Sequence, residues 1–130
     1  MRNIKAFTLP ELLLTAAILA YSLSVILATY TSTIALNETS RNLTTAVSHA
    51  QFVMETIRNA SFSGLATAIG NGTYDYNTAA VTSSGLTALN TESIDTTSTG
   101  TDPLDVTVTV TWRDLRNRTR TKALRTYISG

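Results

Sequence analysis

Glu11 is the one charged residue in the first part of a long apolar segment near the N-terminus. The segment opens at Phe7, directly after a short basic leader that contains Arg2 and Lys5 and ends in Ala6. A carboxylate inside an apolar helix of membrane length is costly unless it meets a partner, and such residues usually have a function. The contrasting interpretation is a carboxylate in the first turn of a helix, where the helix dipole favours a negative charge.

The apolar segment is long enough to cross a membrane. Residues 12–37 contain no charged side chain, which is 26 residues (37 − 12 + 1), and a bilayer core requires about 20 in a helix. The hydroxyls of Thr15, Ser22 and Ser24 are expected to bond to carbonyls one turn earlier. Pro10 is tolerated because it falls in the first helical turn. The basic leader predicts a single-pass segment with its N-terminus in the cytoplasm.

A secretory signal peptide and an uncleaved signal anchor are the alternatives for this segment. A cleaved signal peptide needs a short apolar core with a small-residue cleavage site after it. Here the small residue, Ala6, precedes the apolar run, and the run is too long. An uncleaved signal anchor would retain Met1 and would give Glu11 no particular role.

Residues 5–11, KAFTLPE, together with the apolar run, resemble the leader of type IV pilins and type II secretion pseudopilins. The resemblance covers residues 1–60, and beyond them only the architecture is similar. The family usually has glycine where this chain has Ala6, and an aliphatic residue where it has Pro10. Ala20 and Ala28 stand where major pilins often carry glycine or proline, which indicates a minor subunit.

The resemblance implies that a prepilin peptidase cuts between Ala6 and Phe7 and methylates the new amino group of Phe7. Glu11 would then set the axial register of a filament by pairing with the Phe7 amine of its own chain or of a neighbour. The helix would lie in inner-membrane lipid before assembly, and in the core of a periplasmic or cell-surface filament afterwards. The expected filament-core residues are Leu9, Leu12, Leu13, Ile18, Leu19, Leu23, Ile26 and Leu27. The implied partners are other pilin or pseudopilin subunits, the peptidase, and an inner-membrane platform with its ATPase.

The rest of the chain predicts an α+β fold, in which a long helix packs on a small C-terminal antiparallel sheet. We expect the leader at residues 1–6, the membrane or filament-core half of the helix at 7–36, and an amphipathic half at 37–59 with a kink or looser turn at 37–42. Residues 60–104, rich in Gly, Ser, Thr and Asn, predict a variable connection with short strands at 73–76 and 79–82. The amphipathic half carries a stripe of apolar residues at helical spacing, namely Leu43, Val47, Ala50, Val53, Met54 and Ile57.

Residues 105–130 give the clearest β signal. Residues 106–112, VTVTVTW, alternate strictly, so the valines and Trp112 share one face. A turn at 113–118 leads to a second strand at 119–128, whose apolar face carries Leu124 and Ile128. A hairpin alone is marginally stable, so we expect the amphipathic helix to cover it.

The C-terminal hairpin also holds most of the basic side chains. Charged residues at a sheet edge protect it from unwanted pairing, which is the interpretation we favour. An acidic partner subunit and nucleic acid are the alternatives, although Tyr127 is the only aromatic residue among them. The cluster consists of Arg113, Arg116, Arg118, Arg120, Lys122 and Arg125.

Four acidic residues, Glu92, Asp95, Asp102 and Asp105, flank a loop rich in Thr, Ser and Gly. Oxygen ligands suit calcium, but this spacing matches no defined calcium loop, so calcium near Asp95, Asp102 and Asp105 is a minor alternative. His49 is the only histidine and cysteine is absent; we expect His49 to be structural or solvent-facing.

No pattern of nucleophile and base, phosphate loop or cofactor fingerprint occurs in the sequence, so we do not expect an enzyme. Loss of residues 1–6 would leave 8 basic and 9 acidic residues, because Arg2 and Lys5 are removed from the 10 basic residues of the full chain. The sequence therefore predicts a near-neutral structural subunit of a filament. The alternative is an uncleaved, signal-anchored adaptor with an extracytoplasmic β-domain.

Overall fold

The computed structural model describes residues 8–130 and has the predicted α+β architecture. The chain divides into two units, one that ends at Glu38 and one formed by Thr39–Gly130. The elements in chain order are α1 (Leu9–Arg58), α2 (Leu65–Gly70), β1 (Tyr76–Asn77), α3 (Thr78–Ser83), β2 (Ser93–Thr99), β3 (Leu104–Arg113) and β4 (Thr119–Ile128).

Helix α1 has Pro10 in its first turn and ends at Arg58, one residue before the predicted end. The looser turn expected at residues 37–42 is not observed, since these residues are helical throughout. Low helix propensity is a weak constraint when the turns on both sides are helical. One turn further on, the Thr44 hydroxyl also bonds within the helix, since it donates to the carbonyl of Ser40 at 3.0 Å.

The sheet has four antiparallel strands in the order β1-β2-β3-β4. The predicted hairpin is confirmed as β3 and β4, and the valines of β3 are fully buried. At the centre of the sheet Val108 pairs with Thr96 on one side and with Leu124 on the other. These three residues therefore share the face that turns towards the core.

Within Thr39–Gly130, the core lies between the sheet and the C-terminal turns of α1. Ala46, Ala50, Val53 and Ile57 are fully buried and belong to one cluster with the apolar face of β3. The predicted stripe is confirmed at Ala50, Val53, Met54 and Ile57. Two of its residues lie outside the core, since Leu43 is 42% exposed and Val47 is only partly buried. Leu43 lies one turn before the first residue of the core, so the buried face of the helix begins later than the apolar pattern indicated.

The segment between α1 and β3 is more regular than the predicted variable connection. The strand expected at 79–82 is wrong, because these residues lie in α3, where the Asn77 side chain accepts a hydrogen bond from the Ala80 amide at 2.9 Å. That bond is a helix N-cap, and it satisfies one of the free amides of the first turn. Of the strand expected at 73–76, only Tyr76 lies in a strand, β1 (Tyr76–Asn77), and strand β2 was not predicted.

Candidate functional site

The apolar segment at the start of α1 exposes every one of the eight predicted filament-core residues. The exposed fractions of these side chains range from 56% to 73%. An 18-residue window of α1 has a mean hydropathy of 2.2, and none of that window is buried. The helix is therefore long and apolar enough to span a membrane.

The hydroxyl side chains in this segment bond to the helix that carries them. Thr15 donates to the carbonyl of Glu11 at 3.0 Å, and Ser22 and Ser24 each donate to the carbonyl four residues earlier at 2.8 Å. This confirms the expectation from the sequence. Because each hydroxyl has an acceptor within its own helix, these residues do not require water or a second chain for their hydrogen bonds.

Glu11 lies in the first turn of α1, and its amide donates to the carbonyl of Thr8 at 3.0 Å. Its side chain is exposed and makes no hydrogen bond or ion pair with any residue in the range 8–130. The first-turn position is one where the helix dipole favours a negative charge. The carboxylate nevertheless lies beside an apolar surface. Neither of its oxygens accepts a hydrogen bond from a residue in the described part of the chain.

The predictions for Arg2, Lys5, Ala6 and Phe7 fall outside the described residues. Cleavage between Ala6 and Phe7, methylation of Phe7 and orientation by Arg2 and Lys5 therefore stay predictions.

At the other end of the chain, Asp114 organises the turn between β3 and β4. Its Oδ1 accepts from the amides of Arg116 and Arg118 at 3.0 and 2.9 Å, and its Oδ2 accepts from the Nε atoms of Arg118 and Arg120 at 2.9 and 3.2 Å. The Arg118 amide, aided by the side chains of Arg118 and Arg120, lowers the pKa of Asp114 to about 2. Asp114 was not among the residues predicted from the sequence, although aspartate at the start of a turn is a known signal.

Asp105 on β3 pairs with Arg125 on β4. Arg125 Nε donates to the two carboxylate oxygens at 2.7 and 3.0 Å, and its guanidinium carbon lies 5.5 Å from the centre of the Tyr127 ring. The hydrogen bond from Arg125 lowers the pKa of Asp105, and the same contact raises the pKa of Arg125. Both residues are on the solvent side of the sheet, so the pair neutralises two charges at the surface.

The acidic residues considered for calcium do not form one site. Glu92 is buried, and its carboxylate accepts from His49 Nδ1 and from the Leu89 amide, both at 2.7 Å. Asp95 is exposed on β2, whereas Asp105 is held by its arginine. Among residues 8–130, no three His, Asp or Glu side chains are grouped so as to hold a metal ion. His49 is thus a buried structural residue, one of the two expectations for it.

Comparisons with protein-family models, with curated proteins and with solved structures found no match to this chain. The resemblance to pilins and pseudopilins therefore rests on residues 5–11, the apolar run and the architecture.

Proposed function

We propose that this chain is a structural subunit of a type IV pilus or of a type II secretion-type pseudopilus. The observation that carries the proposal is an exposed apolar helix with a single carboxylate, Glu11, at its start. Such a surface is unfavourable in water by about 25 cal/mol for each Å² of apolar area. It requires lipid or the apolar helices of other subunits, and a filament subunit meets both in turn.

Glu11 gives this proposal its specificity. Lipid alone does not need a carboxylate, and an apolar surface alone does not fix how far one helix slides along another. A buried polar group does fix that register, because any other alignment leaves it without a partner. The proposed partner is the amino group that prepilin peptidase creates on Phe7, in the same chain or in a neighbouring one.

The second candidate is an uncleaved, signal-anchored adaptor. The same apolar helix supports it, because anchoring requires only length and hydrophobicity. This candidate retains Met1, remains in the membrane and has no use for the carboxylate at residue 11.

The first experiment is to measure the intact mass and N-terminal sequence of the protein from membranes and from sheared surface filaments. A chain that begins at N-methylated Phe7 in the sheared fraction supports the filament subunit. A chain that begins at Met1 and stays in the membrane fraction supports the anchored adaptor.

A pair of variants tests the register argument directly. Glu11→Ala should leave membrane insertion and cleavage intact but abolish incorporation into filaments. Combining Glu11→Ala with Thr15→Glu restores a carboxylate on the same side of the helix about 6 Å further along, since each residue rises about 1.5 Å. We expect this double variant to fail as well, because its charge is present but displaced.

The matched control is Glu55→Ala, which removes an exposed carboxylate from α1 within Thr39–Gly130. It should be incorporated like the natural chain. Normal incorporation of the Glu11→Ala variant would refute the register role of Glu11, whereas the mass measurement would still decide between processed subunit and anchor.

A further inference from the structure

The two edges of the sheet are closed to different extents. The edge of β2 is covered, because β1 pairs with it and the Asp75 carboxylate accepts from the Thr96 amide at 2.7 Å, in the position of a further strand. The Thr96 hydroxyl also donates to the Tyr74 carbonyl at 3.1 Å. At the opposite edge, no strand within residues 8–130 pairs with the outer side of β4.

The hydrogen-bond pattern identifies which backbone groups of β4 are left open. The Asp114 amide donates to the Arg118 carbonyl at 3.0 Å, which extends the β3–β4 register by one pair beyond Arg113 and Thr119. In an antiparallel ladder, residues that bond to the partner strand alternate with residues that point away from it. The residues of β4 whose amides and carbonyls point away from β3 are therefore Thr119, Thr121, Ala123, Arg125 and Tyr127.

A groove borders this edge on the helix side. It has a volume of about 360 Å³, and its lining includes the apolar side chains of Met54 of α1 and Leu124 of β4 as well as one acidic residue, Glu55 of α1. Arg58 forms one wall, where its Nη2 donates to the Thr126 hydroxyl at 2.9 Å. A strand added to β4 would direct every second side chain towards this groove.

The hairpin that carries this edge has a net positive charge. Residues 104–128 contain 6 basic and 2 acidic residues, a net charge of +4 (6 − 2), whereas the rest of the chain has 4 basic and 7 acidic residues, or −3 (4 − 7). Asp114 and Asp105 already bind three of the arginines. Lys122, on the core-facing side of β4, has no hydrogen-bond or ion-pair partner in the described part of the chain.

We propose that the outer edge of β4 binds an extended acidic segment of a different polypeptide by β-strand addition. The open amides and carbonyls supply the main-chain ladder, and the groove and the basic residues select the sequence. Acidic side chains would face Arg120 and Lys122, and apolar side chains would face Leu124 and Ile128, because directly opposite residues interact across strands. The proposal does not rest on the filament role.

Charge decides against the β4 strand of a second copy as the occupant. Pairing β4 with β4 of another molecule would bring together two strands of the same positive sign, which is destabilising. The core-facing Arg120 and Lys122 likewise protect the edge from unselective pairing with neutral strands. The same two charges that exclude most strands favour an acidic one.

The test uses the full chain in detergent micelles and a fluorescein-labelled decapeptide in which threonine alternates first with three valines and then with two glutamates. A strand of this sequence added antiparallel to β4 places its glutamates opposite Arg120 and Lys122. The control peptide has lysines in place of the glutamates. We expect the acidic peptide to bind, with an increase in fluorescence anisotropy, and the lysine peptide to bind at least about tenfold more weakly, since like charges face each other.

The Ala123→Pro variant tests the open edge of β4 without removing a hydrogen bond from the existing sheet. The Ala123 amide points away from β3, so proline removes a donor from the open edge and none from the existing ladder. We expect it to weaken binding of the acidic peptide by about tenfold or more, the effect of losing a main-chain hydrogen bond and the close approach of the strand. Ala123→Val, which keeps the amide, is the matched control and should bind as the natural chain does.

Lys122→Glu provides a second measurement that does not depend on proline being tolerated. It should weaken the acidic peptide and strengthen the lysine peptide. The proposal is overturned if the acidic peptide does not bind the natural chain, if Lys122→Glu leaves both affinities unchanged, or if a folded Ala123→Pro variant binds like Ala123→Val. A single-stranded oligonucleotide provides one further result that would overturn the proposal. If it displaces the peptide, and if Ala123→Pro leaves the affinity of the oligonucleotide unchanged, the surface binds nucleic acid instead.

Discussion

Removal of the Glu92 carboxylate should destabilise the globular unit Thr39–Gly130 more than removal of any exposed acid. Glu92 is 2% exposed and His49 is 3% exposed. The carboxylate accepts two hydrogen bonds of 2.7 Å, one from His49 Nδ1 and one from the Leu89 amide. Because His49 belongs to α1 and Leu89 to the segment before β2, one side chain joins the helix to the segment that leads into the sheet.

The size of the effect follows from the donors left behind. A buried donor without a partner costs about 1–3 kcal/mol. Because Glu92→Ala leaves two such donors, it should lower the free energy of unfolding by about 2–6 kcal/mol. Glu92→Gln should cost only about 1 kcal/mol, since glutamine retains an oxygen for the Leu89 amide. Its NH2 group then donates to His49 Nδ1, provided that the imidazole adopts the other tautomer.

Urea unfolding of the full chain in detergent micelles, followed by tryptophan fluorescence, measures this difference. Trp112 is the only tryptophan and is 3% exposed in the core, so its emission reports on this unit. The unit has 92 residues (130 − 39 + 1). With a denaturant slope of about 2 kcal/mol per M, a loss of about 3 kcal/mol lowers the urea midpoint by about 1.5 M.

The control is Glu55→Ala, which removes an exposed carboxylate and should change stability by no more than about 0.5 kcal/mol. Two results would refute the reasoning. One is a midpoint for Glu92→Ala equal to that of Glu55→Ala, and the other is a Glu92→Gln variant as unstable as Glu92→Ala. Either would mean that the buried donors find other partners when the carboxylate is removed.

Three further predictions concern the same unit. Asp114 has a folded pKa of about 2, below the unfolded value of about 3.9. Its contribution to stability is therefore present above about pH 4 and is lost as the pH falls from about 4 to 2. The Asp114→Asn variant should be less stable at pH 7, and its urea midpoint should depend less on pH between about pH 4 and 2. Ile57→Ala removes a fully buried side chain and should lower the free energy of unfolding by about 2–5 kcal/mol. The Trp112 fluorescence should then change at a lower urea concentration, and a loss below about 1 kcal/mol would contradict the packing described. In hydrogen exchange followed by NMR, the amide of Leu124 should be protected and the amide of Ala123 should exchange fast, and equal protection of the two would contradict the assigned edge.

The hairpin and the helix end could be predicted closely because their signals are local. The alternating residues 106–112 define β3, and the polar segment after Arg58 defines the end of α1. Strand β2 could not be predicted in this way, since Ser93–Thr99 contains one apolar residue, Ile94, and its pairing depends on β3. The helix at Thr78–Ser83 had a usable signal, Asn77 as a cap, which the β-branched residues beside it outweighed.

The candidate sites also differ in whether their signals are local in the sequence or depend on long-range contacts. Glu11 and the apolar helix residues could be selected from composition alone, because an isolated charge in an apolar run is visible in the sequence. The contact between His49 and Glu92 joins residues 43 positions apart, and no local pattern encodes it. The open edge of β4 likewise depends on strand order, which alternation within a single strand does not contain.

The self-contained bonding of Thr15, Ser22 and Ser24 has a consequence for how the apolar helix moves between surroundings. Each hydroxyl keeps its acceptor wherever the helix goes, so leaving one apolar medium for another breaks none of these bonds. Transfer is then nearly neutral for these three hydroxyls, and they do not restrain rotation about the helix axis. In the proposed filament, Glu11 would acquire a partner that it lacks among residues 8–130, so its carboxylate would give this stretch an orientational cue that the three hydroxyls do not.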